Sequence, residues 1–89
     1  MIYKIEKVKK LSVGTAAVEE ELCCQAFLIE NNSTAATVYF RDKDADGIDC
    51  TAENGYALLP GERLDLPLCA RELSLVASAQ ADVRLLILE

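Results

Sequence analysis

The chain has 89 residues, of which 52% are hydrophobic and 27% are charged, and its formal net charge is −6. This composition predicts one small globular domain over residues 1–89 and excludes a disordered, low-complexity chain. The sequence contains no histidine, which excludes a Ser-His-Asp triad, a Cys-His nucleophile pair and a histidine-bearing zinc site. The acidic balance argues against a nucleic-acid partner, because binding to its backbone needs clustered Lys and Arg.

The N-terminal residues and the cysteines indicate the compartment. The chain begins without the apolar stretch of a secretory signal, and its longest apolar run, residues 85–88, is too short to span a bilayer. We therefore expect synthesis in the cytoplasm and no membrane partner. The cysteines form no CxxC pair, so reduced thiols are expected rather than a zinc site. They are Cys23, Cys24, Cys50 and Cys69.

The first part of the chain has a pattern that fits either helix or strand. Residues 2–13 combine apolar residues at a spacing of three with a strand-like alternation, and their lysines make this the only basic segment. Residues 15–22 fit either one or two helical turns capped by Thr15 or an exposed strand. Both alternatives stay open for both segments.

The next two segments have the composition of strands. Residues 23–30 carry apolar side chains on both faces, and residues 34–41 are rich in β-branched and aromatic residues. The turn cluster Asn31-Asn32-Ser33 lies between them. This arrangement predicts that the two strands form an antiparallel hairpin.

Turns divide the rest of the chain into short strands. A short strand is predicted at residues 48–51, and the turn signal Asn54-Gly55 follows it. Pro60-Gly61 suits the central positions of a type II turn. The alternation of apolar and polar residues then predicts strands at residues 63–68, 72–77 and 83–88.

The spacing of these turns predicts the fold class. Turn signals that recur every eight to twelve residues are typical of a sandwich or a small barrel. We therefore predict an all-β fold, an antiparallel β-sandwich that is jelly-roll-like, with seven or eight short strands. Pro67 lacks an amide donor, so either the strand at residues 63–68 lies at an edge or Pro67 faces away from a neighbouring strand.

The acidic stretch at residues 42–53 reads DKDADGIDCTAE and matches the spacing of an EF-hand calcium loop. The candidate calcium ligands are Asp42, Asp44, Asp46 and Glu53. The flanking segments are predicted strands rather than the helices that an EF-hand needs. Two interpretations remain, namely a calcium site in a β-hairpin loop and a solvated hairpin tip without an ion.

The apolar residues of the last strand predict self-association. Leu85 and Ile87 would face the core, while Leu86 and Leu88 would face the opposite side. An apolar outer face needs a partner subunit, so a homo-oligomer is expected.

Catalysis and sugar binding are the other functions to weigh. A chain this short is not expected to build a catalytic cleft from its paired carboxylates, so a non-enzymatic protein is predicted. Tyr39, Phe40 and Tyr56 leave open a sugar-stacking platform, although such residues are more often core or interface anchors.

Residues 27–89 resemble small β-sandwich proteins that are encoded in phage and prophage structural gene clusters. The segments that carry the resemblance are AFLIENNSTAATVYF, ENGYALLPGERLDLPL and ELSLVASAQADVRLLILE. The resemblance implies a virion-associated head-decoration, fibre or tail component that is made in a bacterial host, assembles as a symmetric multimer and contacts capsid or tail proteins. It implies no catalytic residues. The alternative is a calcium- or carbohydrate-binding β-sandwich module of a bacterium.

Overall fold

The computed structural model describes residues 5–22, 26–44, 46–66 and 72–88, and among these the side chains of all but residues 5–7, 26 and 88. Every regular element in these ranges is a β-strand. The described residues therefore include no helix that could cross a membrane. The strands are β1 (Ile5–Val13), β2 (Val18–Glu21), β3 (Ala26–Asn31), β4 (Val38–Asp42), β5 (Tyr56–Leu58), β6 (Arg63–Leu66), β7 (Glu72–Ala77) and β8 (Ala81–Leu88).

The strands pair as one long hairpin that is folded over on itself. β1 pairs with β8, β2 with β7, β3 with β6 and β4 with β5, all antiparallel. Further pairings of β3 with β8 and of β4 with β7 complete a first sheet in the order β1-β8-β3-β6 and a second sheet in the order β2-β7-β4-β5. Nested pairing of eight strands in two four-stranded sheets is a jelly roll. The predicted fold class is therefore confirmed.

The core lies between the two sheets and is built from alternate residues of each strand. In β8 the side chains of Val83, Leu85 and Ile87 are buried, and in β7 those of Leu73 and Leu75 are buried. Burying one such side chain fully contributes about 1.5–3 kcal/mol. The alternation predicted for β8 is confirmed, whereas in β7 Leu73 and Leu75 face the core but Ser74 between them is buried as well.

The turns predicted from Asn-Gly and Pro-Gly are also present. Gly61 has a φ of 80°, and the N–H of Glu62 donates to the carbonyl of Leu59 at 3.0 Å. A positive φ at the third position of such a turn is the mark of type II. The N–H of Gly55 donates to the carbonyl of Thr51, also at 3.0 Å, and closes the other turn. β6 lies at an edge of the first sheet, which agrees with one of the two predicted alternatives.

The predicted hairpin between residues 23–30 and 34–41 is wrong. β3 belongs to the first sheet and β4 to the second, so the chain crosses from one sheet to the other between them. β4 also begins only at Val38. The physical reason is Asn31, which is fully buried and directs its side chain into the connection rather than leaving a surface turn.

Two more predictions can be compared with the structure: the strand at residues 48–51, and the choice between helix and strand for residues 15–22. Residues 48–51 form no strand; they belong to a loop that packs on the outside of the second sheet. Residues 18–21 form strand β2 rather than a helical turn. The predictions about Cys23, Cys24, Pro67 and Cys69 fall outside the described residues.

Candidate functional site

The predicted calcium ligands lie at the end of β4 and along the connection from β4 to β5, and three of their carboxylates accept hydrogen bonds from backbone N–H groups. Oδ1 of Asp42 accepts a hydrogen bond from the N–H of Asp44 at 2.8 Å. Oδ1 of Asp44 accepts one from the N–H of Glu72, at the start of β7, at 2.7 Å. Glu53 lies at the far end of the connection, where its side chain is exposed and its N–H donates to the hydroxyl of Thr51.

Asp46 is bound by two donors of its own. Its Oδ1 accepts from the N–H of Ile48 at 3.0 Å, and its Oδ2 accepts from the guanidinium of Arg41 at 2.7 Å. The backbone hydrogen bond from Ile48, followed by the bond from Arg41, lowers the pKa of Asp46. No group of three or more Asp, Glu or Cys side chains among the described residues is arranged to hold a metal ion. The calcium hypothesis stays a prediction.

Lys43 ties this loop to the edge of the second sheet. Its ammonium pairs with Asp49 in the loop at 2.8 Å and also with Glu19 of β2. The hydrogen bond to Asp49, and then that to Glu19, raises the pKa of Lys43 above its ordinary value. The lysine therefore bridges two carboxylates and links elements that are distant in sequence.

Residues 43–55, the β4–β5 loop, fold back over the outer surface of the second sheet. The N–H of Cys50 donates to the hydroxyl of Ser74 at 2.8 Å, and both residues are buried. A Cβ added at Gly55 would lie 2.5 Å from Sγ of Cys50 and 2.9 Å from Cβ of Tyr39, so only glycine fits there without rearrangement. The loop is thus a packed cover and not a free hairpin tip.

A cleft of about 470 Å³ remains between this cover and the sheet. Tyr39 and Val76, which are paired across β4 and β7, lie at its floor, and Asp49 and Thr51 lie on the loop side. It combines an aromatic ring, small apolar groups and hydroxyls. The other residues that line it are Thr15, Ala17, Cys50, Ala52, Ala77 and Ser78.

The three aromatic residues that were considered as a sugar platform are not brought together on one face. Phe40 is buried in the core, and its ring centroid lies 5.7 Å from that of Tyr56 at the edge of the sheet. Tyr39, which comes directly before Phe40 in β4, points to the opposite side of the sheet and into the cleft. Any aromatic stacking in the cleft would therefore depend on Tyr39.

The outer surface of the first sheet carries an apolar row. Leu86 on β8 is in register with Val8 on β1 and with Leu28 on β3. Val8 is 61% exposed, and the other two side chains are partly exposed. The prediction that Leu86 faces away from the core is confirmed. Leu88 is in register with Ala26, one row further, but its side chain is outside those described.

Charged residues of both signs border this apolar row. Lys10, Arg84, Glu30 and Arg63 follow one another in register across the four strands. The guanidinium of Arg84 binds the carboxylate of Asp82 through two nitrogens, at 3.1 and 2.9 Å. Together with Asp65 on β6, this outer surface, called the open face below, presents three basic and three acidic described side chains.

Sequence reasoning missed two buried polar residues that shape these surfaces, Asn31 and Ser74. Both are 0% exposed. Asn31 was assigned to a surface turn because Asn-Asn-Ser is a common turn composition. Ser74 was predicted to face solvent by the alternation of its strand. The sequence of β7 carries no signal for the burial of Ser74, because the loop that covers it, with Cys50, comes from another part of the chain.

Comparison of the chain with protein-family models, with curated proteins and with solved structures finds no significant match. The function is therefore inferred from the residues of this chain and their arrangement.

Proposed function

We propose that this protein is a non-enzymatic structural subunit of a phage or prophage virion that works by self-association and by docking onto a capsid or tail surface. The observation that carries the proposal is the apolar row on the open face. Val8 is 61% exposed in the middle of a strand, and its two neighbours in register, Leu86 and Leu28, are also apolar. A contiguous apolar surface of this kind is typical of an interaction site.

The fold is compatible with this proposal but does not carry it alone. Jelly rolls occur in viral capsid proteins, and they occur equally in lectins and in cupin enzymes. The resemblance of residues 27–89 to small phage and prophage structural proteins favours the first of these classes. On this proposal the protein is made in the cytoplasm of a bacterial host and reaches its final location as part of the virion.

The electrostatics also favour a structural role over catalysis. The carboxylates with lowered pKa values, Asp46 and Asp82, are each bound to an arginine on the surface. Groups poised for acid–base catalysis are instead held near neutral pH by burial or by like charges. The lowered pKa of Asp46 is caused first by the N–H of Ile48 and that of Asp82 first by Arg84, and hydrogen bonds of this kind are typical of structural contacts.

Multi-angle light scattering of the purified full chain tests self-association. The proposal expects a mass that is a multiple of the 9.7 kDa chain. A monomer at all concentrations up to about 100 μM would contradict it, because the binding free energy would then be weaker than about −5.5 kcal/mol. The coding sequence should also lie among capsid or tail genes, and a location among metabolic genes would count against a virion role.

A second function is favoured by the cleft beneath the β4–β5 loop. Its combination of Tyr39 with the hydroxyls of Thr15, Thr51 and Ser78 suits a small carbohydrate, and the acidic loop beside it keeps the calcium alternative open. In that case the protein is a calcium- or carbohydrate-binding module and works as a monomer. A rise in melting temperature with glycans or with about 1 mM Ca²⁺, the affinity range of extracellular calcium modules, would support this function.

A further inference from the structure

Three surfaces of the sandwich could in principle meet a second copy of the chain: the free edge of β1, the loop-covered surface of the second sheet, and the open face. Association through the β1 edge is disfavoured by its sequence and shape. The edge carries several lysines, and a register irregularity lies between Ile5 and Lys7. Lys9 is held by an ion pair with Glu20 of β2. Lysines and bulges are the features by which proteins protect edge strands from pairing.

The loop-covered surface of the second sheet is disfavoured by charge. Exposed carboxylates of the β4–β5 loop lie on this side, among them Asp46, Asp49 and Glu53. Two copies that met through this surface would bring two acidic loops together. Like charges facing each other across an interface cost free energy and select against the pairing.

The open face has neither obstacle. Its three basic and three acidic described side chains balance, although the whole chain has a formal net charge of −6. The sandwich measures 35 × 30 × 16 Å, so the whole broad face, with its β6 edge and connecting loops, has an area on the order of 1,000 Å². The apolar row lies on β1, β8 and β3, and a contact through these three strands is smaller than the roughly 800 Å² per partner of a standard interface.

We infer that the open face pairs with the open face of a second copy around a twofold axis that runs along β8. This inference rests on the proposed function, since it names the surface through which the subunits self-associate. The axis runs parallel to β8 and over it, so the two β8 strands face each other, β1 of one copy covers β3 of the other, and every register row is matched with itself. Such an isologous contact uses the same residues on both sides.

This arrangement makes the two outer rows complementary. In the apolar row, Val8 of one copy packs on Leu28 of the other, and the two Leu86 side chains meet at the axis. In the charged row, Lys10 of one copy faces Glu30 of the other. The two Arg84 side chains approach each other near the axis, where each is already neutralised by Asp82 of its own chain.

Sedimentation velocity with charge-exchange variants tests the pairing. Lys10→Glu and Glu30→Lys should each weaken association, because each places two like charges opposite each other across the interface. The double variant should restore association, because residues 10 and 30 then again carry opposite charges where they face each other. The experiment is run at about 50 mM salt, where exposed charges are little screened. Val8→Lys should raise the dissociation constant roughly tenfold or more, as removal of a central apolar contact does.

Ile48→Lys is the matched control for Val8→Lys. It places the same charge at a side chain that is 51% exposed but lies on the loop of the second sheet, and it should leave the dissociation constant unchanged. Circular dichroism and the melting temperature of each variant show whether the fold is kept. A wild-type monomer would overturn the proposed self-association and this pairing together. An oligomer that tolerates Val8→Lys, or that the double exchange fails to restore, would overturn the pairing alone.

Discussion

The side-chain amide of Asn31, at the end of β3 in the first sheet, donates a hydrogen bond of 2.9 Å to the backbone carbonyl of Leu58, at the end of β5 in the second sheet. The same nitrogen donates to the carbonyl of Ala36 at 2.8 Å, and the amide oxygen accepts from the N–H of Ser33. The backbone N–H of Asn31 donates to the carbonyl of Glu62. One buried side chain therefore satisfies two carbonyls and joins both sheets at the point where the chain crosses between them.

Replacing Asn31 should be among the most destabilising polar substitutions in the described part of the chain. Asn31→Ala removes both donors and leaves the carbonyls of Ala36 and Leu58 in a buried region with fewer partners. Since an unsatisfied buried polar group costs about 1–3 kcal/mol, the free energy of unfolding should fall by roughly 2–4 kcal/mol. Urea denaturation followed by circular dichroism measures the change.

Asn32→Ala is the control for this prediction. Asn32 is exposed, and its side chain makes one hydrogen bond, to Asp82 at 3.0 Å. Surface substitutions of this kind usually change the free energy of unfolding by less than about 0.5 kcal/mol. Equal losses from both variants would show that the crossing does not depend on the buried amide.

Two glycines should respond differently to alanine because one is limited by conformation and the other by space. Gly61 has a φ of 80°, and nothing lies within 4 Å of an added Cβ. Gly61→Ala should therefore cost only the left-handed strain of about 1–2 kcal/mol, and Gly61→Asn should cost less. Gly55→Ala should cost more than Gly61→Ala, because its Cβ would overlap Cys50 and Tyr39. Thermal unfolding of the three variants gives the order, and the reverse order would show that the β4–β5 loop adjusts freely.

The reactivity of Cys50 should report whether the β4–β5 loop is closed. Burial raises the pKa of this thiol, and the thiolate is the reactive form, so alkylation should be slow in the folded wild type. Lys43→Ala removes the ion pairs with Asp49 and Glu19 that fasten the loop and should speed alkylation several-fold. Mass spectrometry of the peptide that contains Cys50, after timed iodoacetamide labelling, measures the rate. Arg63→Ala removes one positive charge from the other sheet and should leave the rate unchanged; a similar increase would point to a general effect of charge.

The strands that were predicted correctly are those whose pattern is local. The alternation in β7 and β8 follows from which residues face the core, and the type II turn follows from Pro60 and Gly61. Pairing is not local in this fold. β1 pairs with β8 at the other end of the sequence, and β3 and β4 are neighbours in sequence that belong to different sheets. Composition predicts a strand, but only the packing of the whole chain selects its partner.

The same distinction applies to the candidate site. The outward position of Leu86 was predicted from alternation within one strand. Its alignment with Val8 and Leu28 depends on the registers of two strand pairs, which the sequence of β8 alone does not contain. In the β4–β5 loop, the apolar Ile48 suggested a strand, yet Ile48 is 51% exposed and Cys50 is the buried residue. The loop closes over Ser74 through Cys50, so Cys50 is buried while the more hydrophobic Ile48 is left exposed.

Stability should decline in acid through two surface carboxylates. The hydrogen bond from Arg84, and then that from Asn32, lowers the pKa of Asp82, and Asp46 is lowered by Ile48 and Arg41. A carboxylate whose pKa is lower in the folded state stabilises the fold when it is ionised. Its contribution is therefore complete above the unfolded-state pKa and is lost as the pH falls through the folded-state value, from about pH 5 downward.

Melting temperatures measured between pH 7 and pH 2 should fall over this range. The fall should be smaller for Asp82→Asn and for Asp46→Asn. If both variants followed the wild-type curve, the acid sensitivity would have to arise from other carboxylates.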